Sequence, residues 1–229
     1  MVVAALTDEV AALEEVLSGL SESDVVKSTR CVPWDVAALS VHTVSSLNQV
    51  LVALDGGAAD PDAALVSAAG YYSPRVRFSP EVDRARVDSA LERAERRSDA
   101  AEPGRVLGGL RARLWPRLAR VPEDRTMVTR HGDPMLVTEY LVTRVVESLL
   151  HGLDLADALG REPWASDRAL GLVGEVLFGG ADAEALERVL PGARGANALG
   201  AVRVVTGRAP VRVGRAVLEG AGVRVLALG

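Results

Sequence analysis

The stretch that most constrains this chain runs from Pro134 to Arg161, PMLVTEYLVTRVVESLLHGLDLADALGR. Its apolar spacing predicts one long helix. On that helix Tyr140, Arg144, Glu147, His151 and Asp154 follow at steps of four, three, four and three, which stacks five polar side chains along one face. The neighbouring stripe of Val137, Leu141, Val145, Leu149 and Leu155 is apolar enough to hold the helix on a core. Glu147 and His151 lie one turn apart, about 6 Å along the axis, so the helix offers a carboxylate and an imidazole to one metal ion. A third donor has to come from elsewhere in the chain.

The rest of the sequence reads as further helices with a different texture at the end. Thr7 suits an N-cap, with Asp8 and Glu9 in the first turn and an apolar face of Val10, Leu13, Val16, Leu17 and Leu20. A polar connection follows to Pro33, where Val32 before the proline disfavours helix. Asp35 to Leu54 predicts a second long helix on the stripe Val36, Leu39, Thr43, Leu47, Val50 and Leu54, with His42 beside it. Residues 55–80, including Tyr71-Tyr72-Ser73-Pro74, read as a long crossing, a length that in a compact domain usually carries function.

A charged helix from Pro80 to about Ser98 and another over 105–120 come next, the latter kinked or shortened by Pro116. Asp133 suits the N-cap and Pro134 the first position of the long helix. Beyond Gly160, Asp167–Phe178 and Ala183–Leu190 are short helical patterns. Over 201–228 the runs AVRVVT, VRVGRAV and VRVLAL predict two or three strands. The expected fold is mainly α, a four-helix bundle over 1–162 followed by a small C-terminal α/β domain over 163–229.

Composition removes several classes of function. The 229 residues are 48% hydrophobic, ample for a buried core. The lone Cys31 cannot pair within the chain, and the start lacks the basic and long apolar segments of a secretory signal, so a reducing, cytoplasmic setting is expected. No run of about 18 apolar residues is seen to cross a membrane. A formal net charge of -5 gives no basic footprint for nucleic acid. The positive charge is nearly all arginine, with Lys27 the only lysine, a pattern of high-GC genomes.

Only three histidines are present, His42, His131 and His151. His42 and His151 fall within predicted long helices at positions that can face a bundle interior. With Glu147 they make two imidazoles and one carboxylate, a set that leaves a coordination position open, as catalytic zinc sites do. Nickel, iron or manganese would suit the same donors. Asp154 is placed to orient an imidazole, and Arg144 to neutralise Glu147 or hold an anionic substrate. A solvated polar face with an Arg144–Glu147 pair explains the same spacing. His131 reads as a loop residue at the surface or the mouth of a cleft, and Cys31 as a small buried hydrophobe.

Two blocks carry a family resemblance. Leu17-Ser18-Gly19-Leu20, the turn Ser21-Glu22-Ser23-Asp24, and Thr29-Arg30-Cys31-Val32-Pro33-Trp34-Asp35-Val36 up to His42 form the first. Arg144-Val145-Val146-Glu147 with His151-Gly152-Leu153-Asp154 forms the second. Together they resemble the mycothiol-dependent maleylpyruvate isomerase family, in which a tryptophan stands eight residues ahead of a metal-binding histidine, as Trp34 stands ahead of His42.

The resemblance implies a DinB-like metal-binding bundle over residues 10–160 and, more loosely, the family's C-terminal domain over 165–228. It implies His42, Glu147 and His151 as ligands of a divalent metal, zinc, with Arg144 and Asp154 as catalytic residues and mycothiol, an actinobacterial thiol, as cofactor. The implied reaction is cis–trans isomerisation by reversible thiolate addition to a small electrophile, with Arg75, Arg84, Arg86 and Arg144 as candidates to hold carboxylates. A mycothiol S-transferase acting on another electrophile is the enzymatic alternative. A non-catalytic metal-binding or interaction module, its C-terminal strands forming a partner or homodimer surface, is the other. Thr43 departs from the leucine usual after the first histidine, and residues 55–133 match weakly.

Overall fold

The computed structural model describes residues 1–72 and 80–226. Helix α1 spans Val2–Ser18 and starts ahead of the expected Thr7 cap; the Thr7 hydroxyl donates instead to the Val3 carbonyl, 2.7 Å away inside the helix. The short α2, Glu22–Val25, is fixed by a capping box between Ser21 and Asp24. Helix α3, Val36–Asp55, opens where the Asp35 carboxylate accepts from the Ala38 amide at 2.8 Å. After α4, Ala68–Tyr71, come α5, Pro80–Glu95, and α6, Glu102–Leu118, with Pro116 in its last turn.

The entry to the long helix differs from expectation. Thr126–Val128 (β1) and Pro134–Leu136 (β2) pair antiparallel, with the buried Met127 opposite the buried Met135, and α7 begins only at Val137 and runs to Leu159. Pro134 has no N–H to give and suits the first residue of a strand as well as that of a helix. Asp133 is drawn into the hairpin turn, where its carboxylate accepts from the Thr129 hydroxyl at 2.9 Å. Gly160, with φ of 66°, stops α7 in the left-handed conformation that glycine adopts without strain.

Helices α1, α3, α6 and α7 form a four-helix bundle in which α1 and α3 each pack against both α6 and α7. Leu6, Leu13 and Leu17 of α1, Leu39 and Leu47 of α3, and Leu107, Leu110 and Leu114 of α6 are fully buried along its axis. Helix α5 lies along the outside of α3. By length and composition α3 is apolar enough to cross a membrane, yet 67% of that window is buried inside the molecule, which marks it as a core helix. The first turn of α6 approaches the end of α1 so closely that a Cβ on Gly104 would lie 2.5 Å from the Ser18 amide nitrogen. Gly104→Ala is therefore expected to destabilise the protein by about 1–3 kcal/mol, read as a lower urea midpoint; an unchanged midpoint would rule out this close approach.

The C-terminal segment is helical where strands were expected. Helix α8, Asp167–Phe178, lies against α1 and α7; α9, Ala183–Val189, follows; and α10, Ala198–Val205, docks on α8. The AVRVVT run belongs to α10, where Ala201, Val202 and Val205 are buried at helical spacing. A short run of valines fits either period, and packing on α8 selects the helical one. VRVGRAV contains the Gly214 cap of α11, Arg215–Gly220. VRVLAL is described only to Leu226; its Arg224 and Leu226 amides donate to the carbonyls of Leu177 and Val205 rather than to a strand. Among the described residues, the named strands are the two of the hairpin.

Candidate metal centre

The polar stripe of α7 is interior: Tyr140, Arg144, His151 and Asp154 are each no more than 3% exposed. Because α3 packs along α7, His42 meets His151 edge-on with ring centroids 5.2 Å apart. Glu147 Oε2 stands 3.3 Å from His151 Nε2. Donor atoms of His42, Glu147 and His151 all lie within 4.8 Å of one another, a spread that ligand bonds of about 2.0–2.2 Å close with small side-chain rotations. The set of two nitrogens and a carboxylate fits a divalent ion, with His42 and Glu147 lining a cleft and His151 buried beside them.

The three donors differ in charge state. His42 is stacked under the Trp34 indole at 4.5 Å, and Trp34 is itself tied to α5 by a 3.4 Å bond to the Val87 carbonyl. Burial, with His151, Arg86 and Arg144 nearby, outweighs Glu147 and lowers the His42 pKa to about 3, so its ring is neutral and available as a ligand. Burial would raise Glu147, but its bond to His151 and the charges of Arg144, His151 and His42 hold it well below the usual carboxylate range. Burial would lower His151, but hydrogen bonds with Asp154, Cys31 and Glu147 raise it well above the ordinary imidazole value.

Behind the donors stands Asp154, placed against the His151 imidazole as the sequence suggested, with partners that the sequence did not disclose. Asp154 Oδ2 stands 3.2 Å from His151 Nδ1, accepts from Cys31 Sγ at 3.3 Å, and pairs with Arg208 Nη2 at 2.6 Å. Cys31 is buried as expected, but it is also a thiol donor to this carboxylate. Arg30 lies 3.8 Å from Asp154 Oδ1 and donates to the Gly207 carbonyl at 2.6 Å. Nothing in an arginine-rich sequence singles out Arg30 or Arg208, because the contacts that matter join segments far apart in the chain.

A cleft of about 400 Å³ opens above His42 and Glu147, with Gln49, Arg86, Arg130 and His131 in its walls. Of the arginines proposed to hold a substrate, Arg86 lines this cleft, Arg84 is exposed and does not, and Arg75 lies outside the described residues. Arg144 also reaches the cleft, but much of its guanidinium is engaged. It donates to the Ser46 carbonyl at 3.2 Å and the Tyr71 hydroxyl at 3.0 Å, lies 4.7 Å over the Tyr140 ring, and stands 3.9 Å from Glu147. Its position is that of a fixed cation braced against the Glu147 carboxylate.

The family model described as "Mycothiol maleylpyruvate isomerase N-terminal domain" matches residues 6–156, well over half of the chain. The chain belongs to this family. Its helical bundle is accordingly DinB-like, and the matched span holds His42, Glu147, His151 and Asp154 but ends before Arg208. Comparison with curated proteins and with solved structures gave no match. Thr43, where the family usually has leucine, is fully buried and donates its hydroxyl to the Leu39 carbonyl at 2.8 Å, so its polarity is satisfied within α3.

Proposed function

We propose that this protein is a divalent-metal enzyme that uses mycothiol and isomerises a small unsaturated acid. The observation that carries the reading is the convergence of His42, Glu147 and His151 beside a cleft that His42 and Glu147 line together with Arg86 and Arg130. A divalent ion held by these three residues, zinc by preference of the donors, would lower the pKa of a thiol placed beside it. The chain's own contribution is positional. Trp34 and α3 hold the His42 ring, Asp154 turns the His151 ring so that Nε2 faces the donor set, and Arg144 balances the Glu147 charge. Arg86 and Arg130 are placed to hold the carboxylates of an acid while its reacting carbon faces the thiol.

In the proposed reaction the thiolate sulfur forms a bond to one carbon of a cis double bond, and the electron pair moves into the conjugated carbonyl. Rotation about the resulting single bond and loss of the same thiolate restore the double bond in the trans form, so thiol is consumed and released in equal amount.

The test is incubation of the zinc-loaded protein with maleylpyruvate, following the ultraviolet change on isomerisation, with and without mycothiol. Isomerisation that requires both zinc and mycothiol is the expected result. Mycothiol consumed into a stable thioether would replace this reading by a thiol transferase, and inactivity of a zinc-loaded protein toward this and related electrophiles would leave a metal-binding module.

A further inference from the structure

We propose that Arg208, contributed by the C-terminal segment, is a positioning residue of the metal centre: it fixes the Asp154 carboxylate and, through it, the His151 ring. The inference rests on the metal reading above. Arg208 follows α10, and its side chain is completely buried against α7. Each nitrogen of the guanidinium has a partner: Nη2 meets Asp154 Oδ2 at 2.6 Å, Nε donates to the Leu150 carbonyl at 3.3 Å, and Nη1 to the Thr206 carbonyl at 3.1 Å. This three-point grip sets the plane of the guanidinium relative to the turn of α7 that carries His151.

Asp154 depends on that grip. Its Oδ1 accepts no hydrogen bond among the described residues, so the donors on Oδ2 orient the carboxylate. One of these is His151 Nδ1 at 3.2 Å. With Nδ1 donating to Asp154, the nitrogen that gives up its proton to a metal is Nε2, the atom facing Glu147. Without Arg208, a buried carboxylate loses its closest counter-charge and is free to turn toward Arg30, 3.8 Å from Oδ1. The His151 ring then loses its alignment with His42 and Glu147.

Docking of the segment does not depend on Arg208 alone. Arg203 grips Asp157 of α7 through two 2.8 Å bonds, and Arg30 holds the Gly207 carbonyl. That separation makes a control available.

The experiment measures zinc affinity by chelator competition, and the visible spectrum of the cobalt(II) form, for the full-length parent, Arg208→Met, Arg208→Lys and Arg203→Gln. Loss of a partner behind a ligand weakens metal binding by roughly 10- to 100-fold, and that is expected of Arg208→Met together with a changed cobalt spectrum. Arg208→Lys keeps the charge but not the fork, and a smaller loss of about three- to tenfold is expected on the same scale. Arg203→Gln is expected to match the parent. Parental affinity and spectrum in Arg208→Met would overturn the proposal, as would an equal loss in Arg203→Gln, which would mean that docking of the segment is all that matters. If Arg208→Met does not fold, Arg208→Lys decides: the parent's affinity and spectrum in that variant would overturn the proposal. A parent that binds neither metal overturns the metal reading itself, and the role of Arg208 falls with it.

Discussion

His151→Ala is expected to abolish metal binding: near-stoichiometric zinc in the parent, purified without chelator or affinity metal, falls to background, and thiol-dependent turnover falls with it. His151 stands between two carboxylates, with Nε2 toward Glu147 and Nδ1 toward Asp154. Its removal also strips a partner from the buried Asp154 carboxylate and from the partly exposed Glu147 carboxylate. A hydrogen bond to a charged group contributes about 1.5–3 kcal/mol, so the metal-free variant should unfold at lower urea than the metal-free parent. His42→Ala should lose metal as fully but with a smaller loss of intrinsic stability, because the His42 ring is neutral and partly exposed. Elemental analysis of the three proteins with matched urea titrations separates the two effects, and zinc retained in both variants would sink the assignment of ligands.

The second large effect is on the pH dependence of metal affinity. Metal and proton compete for the same nitrogen, so affinity falls about tenfold for each pH unit below the pKa of each ligand that must lose a proton. His42, lowered to about 3, is already neutral above pH 5. Glu147, held low by His151, Arg144 and His42 against the effect of burial, is already ionised. His151 alone, raised by its bonds with Asp154, Cys31 and Glu147 against the effect of burial, carries a proton at neutral pH. The logarithm of affinity, corrected for the chelator, is therefore expected to rise with a slope near one from about pH 5.5 to beyond 7, with one proton released per metal bound. A flat profile would mean that His151 is not a ligand, whereas a slope near two would mean that His42 also titrates in this range.

The helix that carries most of the centre was legible because its polar and apolar stripes share one period, and that period survives whatever surrounds it. Its environment was not. The same spacing describes a solvated face and an interior one, and only the packing of α1, α3 and α8 around α7 decides between them. Ends of elements were read less well where one residue suits two roles. Pro134 fits a strand start and a helix start, Thr7 fits a cap and a helix interior, and the valines of Ala198–Val205 fit either period until α8 supplies a surface. Arg208 carried no signal because its role comes from meeting Asp154 across the fold.

The indole of Trp34, stacked 4.5 Å from the His42 ring, makes the centre visible to light. Charge or a bound ion at that imidazole changes the decay of an excited indole in van der Waals contact with it, so Trp34 emission is a built-in gauge of occupancy. The other two tryptophans stand elsewhere, Trp115 bonded to Thr7 and Trp164 packed on Gly152. Replacing both with phenylalanine would leave a single emitter whose intensity follows the filling of the site in real time, without a label and without turnover.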